Sequence, residues 1–86
     1  MSDQTHHRLM TLLEKCVGRP IIPGPKQTFD DLGMDSLDLL EFAYLCEAEF
    51  GLWMIEAESN WTTKTKVKDA FGDVGKWLAR GLAVTP

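Results

Sequence analysis

Residues 30–51 read Asp-Asp-Leu-Gly-Met-Asp-Ser-Leu-Asp-Leu-Leu-Glu-Phe-Ala-Tyr-Leu-Cys-Glu-Ala-Glu-Phe-Gly. Within it Leu39, Phe42, Ala43, Cys46 and Phe50 recur at the 3.6-residue period of an amphipathic helix, and Gly51 supplies a stop. The spacing predicts a helix over 36–50. Ser36 follows Asp35 at its start, where an acidic side chain can accept hydrogen bonds from the unpaired N–H groups of the first turn. Leu37, Asp38, Leu40, Glu41 and Tyr44 fall on a second face that mixes apolar and acidic groups. A face that only meets water has no need of those apolar side chains.

Upstream, Leu9, Leu12, Leu13, Cys16 and Val17 form another helical stripe, which predicts a helix over 5–17 stopped by Gly18 and Pro20. Pro20, Pro23, Gly24 and Pro25 then exclude helix, so a long ordered loop joins the two helices. Phe29 and Leu32 are its apolar anchors. Loops of this length inside a small domain usually serve function. Downstream, residues 56–61 fit one short helical turn, and Thr62, Thr63 and Thr65 are candidate N-caps for the last helix. Val67, Ala70, Phe71, Val74, Trp77 and Leu78 predict that helix over 66–79. Gly72 and Gly75 each cost it about 1 kcal/mol against alanine, making it the least stable of the long helices. No alternating strand pattern and no internal repeat occurs. The expectation is an all-α fold, a small bundle of three long helices and one short one, in a single domain over 1–86.

The 86 residues are 44% hydrophobic and 26% charged, ordinary for a globular chain and too apolar for a disordered one. No apolar run is long enough to span a bilayer, and the polar segment from Met1 to Arg8 has no signal-peptide core, so the expected location is the cytoplasm. Cys16 and Cys46 lie inside apolar stripes and read as buried thiols, with a spacing that fits no zinc signature. His6 and His7 read as solvated. Asp30, Asp31, Asp35 and Asp38 do not follow the calcium-loop pattern, so no metal site is expected. From Gln27 to Thr63 there are nine acidic side chains and no Lys or Arg, whereas the rest of the chain carries all nine basic side chains and four acidic ones. That segregation repels nucleic acid and favours protein partners with Lys/Arg patches.

The run Leu32-Gly33-Met34-Asp35-Ser36-Leu37, followed by acidic and apolar residues at helical spacing, resembles the phosphopantetheine attachment segment of acyl carrier proteins. The resemblance covers most of the chain. It takes in the first helix, the long loop, a second helix ending in Glu47-Ala48-Glu49-Phe50-Gly51, and a Thr-rich entry to the last helix. It implies that the Ser36 hydroxyl receives 4'-phosphopantetheine from coenzyme A through a separate phosphopantetheinyl transferase. The arm's thiol then carries an acyl cargo as a thioester, and the protein itself is a carrier and not an enzyme. Gly33 would let the loop turn before the serine, and Asp35 has two open roles, transferase contact or capping. Leu37, Asp38, Leu40, Glu41 and Tyr44, with Glu47 behind them, would form the docking face for acyl-loading, ketosynthase or acyltransferase-type enzymes. The implied carrier is a monomer without a membrane span.

The chain also departs from the family pattern. Ala48 stands where the fatty-acid type usually has glutamate, and Glu58–Asn60 with Trp61-Thr62-Thr63 replaces the usual acidic short helix. Trp53, Trp61 and Trp77 are many tryptophans for such a carrier. Each fits core or rim packing, and Trp53 or Trp61 could instead shape a cargo pocket between the second and last helices. Lys64, Lys66 and Lys68 make the far side basic. These departures suggest a dedicated carrier for a specialised lipid or other pathway rather than the housekeeping fatty-acid carrier. Polyketide, aminoacyl, peptidyl and D-alanyl cargo stay open, and the alternative of another class is an unmodified helical interaction or scaffold protein.

Overall fold

The computed structural model describes residues 3–51 and 61–80. Three α-helices follow one another: α1 (Asp3–Val17), α2 (Ser36–Phe50) and α3 (Val67–Ala79), with a 3-10 turn at Asp30–Leu32. The all-α expectation is met among the described residues, where the β-pairing is confined to an isolated antiparallel bridge between Thr28 and Lys66. The second helix has the expected bounds. The first begins two residues earlier than the apolar stripe suggested, because a polar first turn leaves no periodic mark, and the last begins at Val67 rather than Lys66. The short helix expected at 56–61 lies outside the described residues, apart from Trp61.

α1 and α2 run antiparallel. Arg8, in the first half of α1, pairs with Glu49 at the end of α2 at 2.6 Å, donates to the Glu49 carbonyl at 2.9 Å, and lies 4.6 Å over the Phe50 ring. At the other end, Cys16 feels the charges of Asp38 and Glu41 from the start of α2. α3 closes the bundle through Phe71, which meets Phe42 at 6.3 Å and the His6 ring edge-on at 5.6 Å.

The inward stripes are largely those expected. Leu9, Leu12 and Leu13 of α1, Leu39, Phe42, Ala43 and Cys46 of α2, and Val67, Ala70, Phe71, Val74 and Trp77 of α3 are buried. Cys16, Val17, Phe50 and Leu78 are half-buried instead, since each lies at the end of its helix where the bundle no longer covers the stripe. His6 and His7 are exposed, as expected. The centre is aromatic: Phe42 and Trp61 stack at 6.0 Å, Trp61 and Trp77 at 5.7 Å, and Phe29 meets both Phe42 and Trp61. Burying each such ring contributes about 1.5–3 kcal/mol. The Trp61 indole N–H donates to Asp73 at 3.0 Å, so its one polar group is satisfied.

The long loop is clamped to the segment that enters α3. Phe29 N–H donates to the Thr65 carbonyl, Asp30 N–H to that of Thr63, and Val67 N–H to that of Gln27. Lys64 reaches across to Asp30, whose other carboxylate oxygen accepts from the Thr28 hydroxyl. Two expectations change here. Lys64 is ion-paired rather than part of an open basic surface. The threonines do not cap α3, whose N-cap Lys66 makes no side-chain bond. They close a turn of their own, in which Thr62 N–H donates to Thr65 Oγ1 and Lys64 N–H to Thr62 Oγ1. Among the described residues no helix is long and apolar enough to cross a membrane.

The Lys64 hydrogen bond, helped by Thr28, holds the Asp30 carboxyl below the usual carboxylate range. A lowered folded-state pKa stabilises the fold above the ordinary carboxylate value, about 3.9, and that contribution is lost as pH falls through the folded value. Asp30→Asn is therefore expected to lower the melting temperature near neutral pH. The gap to the unsubstituted chain should close in acid. Thermal melts followed by circular dichroism from pH 7 downward check this, and a gap independent of pH would contradict it.

Candidate functional site

The turn ahead of α2 is built from three buried side chains, Phe29, Leu32 and Met34. The Phe29 carbonyl accepts from Leu32 N–H at 3.1 Å and from Met34 N–H at 3.2 Å, which folds the chain back on itself. Gly33 makes this possible with φ +82°, a left-handed conformation that side chains resist at a cost of about 1–2 kcal/mol. A Cβ there would meet no atom within 4 Å, so the requirement is conformational and not one of space.

Asp35 then caps α2. Its Oδ1 accepts from Asp38 N–H at 2.9 Å, and Asp38 Oδ2 accepts from Asp35 N–H at 3.2 Å, a reciprocal capping box made of two aspartates. The capping role left open for Asp35 is thus present, and it also engages Asp38. Ser36 is the first helical residue and is exposed. The amides of a helix's first turn and its dipole favour an anion at this end.

Beside Ser36 lies a cleft of about 420 Å³. Leu37, Leu39, Leu40 and Ala43 of α2 line one side, and Trp61, Thr62 and Thr63 the other. Trp61 therefore has two surfaces, one stacked in the core and one facing this cleft. Sequence reasoning singles out Trp61, but it gives Thr62 and Thr63 another role. Their place beside Ser36 depends on the backbone pairing of residues 28–30 with 63–66, which leaves no periodic signal.

The remaining site residues spread along one side of α2. Leu37 is 74% exposed, Tyr44 53% and Leu40 37%, at a spacing that puts them on one stripe, with exposed Glu41 between them. Asp38 and Glu47 are partly covered. The face thus combines solvent-facing apolar groups with carboxylates.

Neither cysteine is equipped as a nucleophile. Burial, then the Glu41 and Asp38 charges, pushes the Cys16 thiol up to about 11, and burial drives Cys46 up further still. Both are free, and both are held as thiols at neutral pH.

A family model described as a phosphopantetheine attachment site matches residues 7–54, more than half of the chain. No curated protein and no solved structure matches it. The match spans α1 from His7 onward, the loop, the Gly33–Ser36 turn and the whole of α2.

The thiol environments give a direct expectation. In the unmodified folded chain at mildly alkaline pH, Cys16 should alkylate at least about tenfold more slowly than a free thiol, and Cys46 more slowly again. Denaturant should make the two equal. Intact-mass time courses with iodoacetamide read both rates, and rapid alkylation of the native chain would refute the arrangement.

Proposed function

The chain belongs to the phosphopantetheine-attachment family, whose members are non-catalytic carriers of 4'-phosphopantetheine, and from that premise we propose that Ser36 is the attachment residue. The observation that carries this reading is the place of Ser36: exposed, first in α2, behind a turn that Gly33 and the buried Phe29 and Met34 hold in shape.

The surroundings fit the group. The Ser36 hydroxyl supplies the ester oxygen, and the first-turn amides of α2 favour the phosphate charge. A phosphopantetheinyl transferase delivers the group from coenzyme A: the Ser36 oxygen bonds to the phosphorus that bears pantetheine, the pyrophosphate bond breaks, and adenosine 3',5'-bisphosphate leaves. The hydroxyl proton leaves to the transferase or to solvent. When bound, the arm supplies the thiol on which cargo is held as a thioester. Neither protein cysteine competes for that role, because burial keeps both protonated.

Within this reading, Leu37, Asp38, Leu40, Glu41 and Tyr44, with Glu47, are the docking face for the transferase and for acyl-loading, ketosynthase or acyltransferase-type enzymes. Exposed charges speed encounter more than they prolong contact, which suits a shuttle. The acidity of α2 supports acyl cargo over aminoacyl or peptidyl cargo. The cleft between α2 and Trp61 is the place for the first atoms of the arm and its cargo. The Trp61 wall and the alanine at position 48 support a dedicated carrier in a specialised pathway, and the free thiols support a cytoplasmic setting.

Incubation with coenzyme A and a broad-specificity phosphopantetheinyl transferase should add one phosphopantetheine to the intact mass, and Ser36→Ala should take up none. An increment that persists in Ser36→Ala would move the site elsewhere. Glu41→Lys should slow loading several-fold at low salt while leaving helicity intact, with the difference shrinking as salt screens the charges. Equal rates at low salt would show that the docking face is misplaced.

A further inference from the structure

A second cleft, of about 370 Å³, lies away from Ser36. Buried Val67 and Phe71 of α3 form its floor, and His6 and Met10 of α1 face the Ile22–Pro25 loop across it. Ile22 is 95% exposed at the lip, although its neighbour Ile21 is buried in the core. Single exposed apolar residues are common, but one that extends an apolar cleft adds to a continuous binding surface. The loop wall is stiff, because Pro23 and Pro25 fix their φ angles and Gly24 N–H donates to the Gln27 side chain at 2.7 Å.

The charge around this cleft is opposite in sign to that around Ser36. Lys68 lies in its lining. The Thr28–Lys66 bridge and the Val67 N–H bond to Gln27 bring the loop alongside the start of α3, so exposed Lys26 and Lys66 flank the same edge. Asp30 is engaged by Lys64, and half-buried Glu14 of α1 accepts from the Ile21 N–H at 3.2 Å, which leaves Asp69 and Asp31 as the exposed carboxylates of the loop and the start of α3 against three exposed lysines. From Gln27 to Thr63, by contrast, no Lys or Arg occurs.

We propose that the cleft bounded by α1, the Ile22–Pro25 loop and the start of α3 is a second docking surface, which binds an acidic, apolar segment of a partner protein. Its apolar side chains enter between Ile22 and Phe71, and its carboxylates meet Lys26, Lys66 and Lys68. A partner that suits this surface is repelled by the acidic side of α2, and one that suits α2 is repelled here. The two surfaces therefore take different partners, and a protein held at the second leaves Ser36 open to the enzymes that visit the first.

The test is an amide chemical-shift titration of the full chain with two synthetic peptides. In one, Leu and Phe alternate with Glu; in the other, Lys replaces every Glu. The acidic peptide should shift the amides of Ile22, Val67, Lys68 and Phe71, and its affinity should fall as salt rises. The exposed-site double variant Ile22→Glu/Lys68→Glu should lose at least about tenfold in affinity, while its helicity and its rate of phosphopantetheine loading stay unchanged. That last readout separates this surface from the Ser36 assignment. Shifts of Ile22, Val67, Lys68 and Phe71 that are as large or larger with the Lys peptide, acidic-peptide shifts confined to α2, or no shifts with the acidic peptide would overturn the proposal. So would concentration-dependent shifts of the same amides in the chain alone, which would give the cleft to a second copy.

Discussion

Phe29 is the residue through which the parts of this small bundle are joined. Its ring is fully buried between Phe42 and Trp61, its N–H donates to Thr65, and its carbonyl accepts from both Leu32 and Met34. One position thus ties the long loop to α2, to the segment entering α3 and to the turn that delivers Ser36. Its burial, with that of Ile21, Leu32 and Met34, opposes the entropy of a loop whose four proline and glycine positions exclude regular structure. The loop is ordered because a core residue holds it near its end, where it meets α2.

The consequence for Ser36 is that its backbone is held in place without burying the serine. The turn before it is fixed from inside by Phe29, Leu32 and Met34, and the helix after it by the Asp35–Asp38 box. The same two aspartates that satisfy the orphan amides also add negative charge beside the serine. On the proposed docking reading, local structure and partner selection draw on the same side chains, and a charge change at Asp38 would disturb both. Among the described residues charge is segregated, with acidic groups around the start of α2 and lysines around the loop's far edge and the start of α3.

Much of this was legible in the sequence. The stripes of α1, α2 and α3 have clean 3.6-residue periods, so the helices and their buried faces are read directly from Leu9–Leu13, Leu39–Cys46 and Val67–Trp77. Phe29 and Leu32 also stand out as loop anchors, because apolar residues among prolines and aspartates have nowhere else to go. The half-burial of Cys16 and Phe50 is not legible in the same way, because a period says which face a residue occupies and not how far the neighbouring helix extends. Contacts between distant segments left less trace. The Asp30–Lys64 pair, the Trp61–Asp73 hydrogen bond and the placing of Thr62 and Thr63 beside Ser36 all arise from the loop pairing with residues 63–67. Such pairing is a tertiary outcome, and threonines near a helix start read as caps until it is seen.

Whether Ser36 itself bears the prosthetic group is decided by site mapping on the protein isolated from its native host. Trypsin is unsuitable, since the absence of Lys and Arg from Gln27 to Thr63 leaves Ser36 and Ser59 on one fragment. Cleavage at acidic residues followed by tandem mass spectrometry separates them. Phosphopantetheine is expected on the fragment that contains Ser36. A modification found on Ser59 or another residue, or a chain that is unmodified throughout in its host, would contradict it.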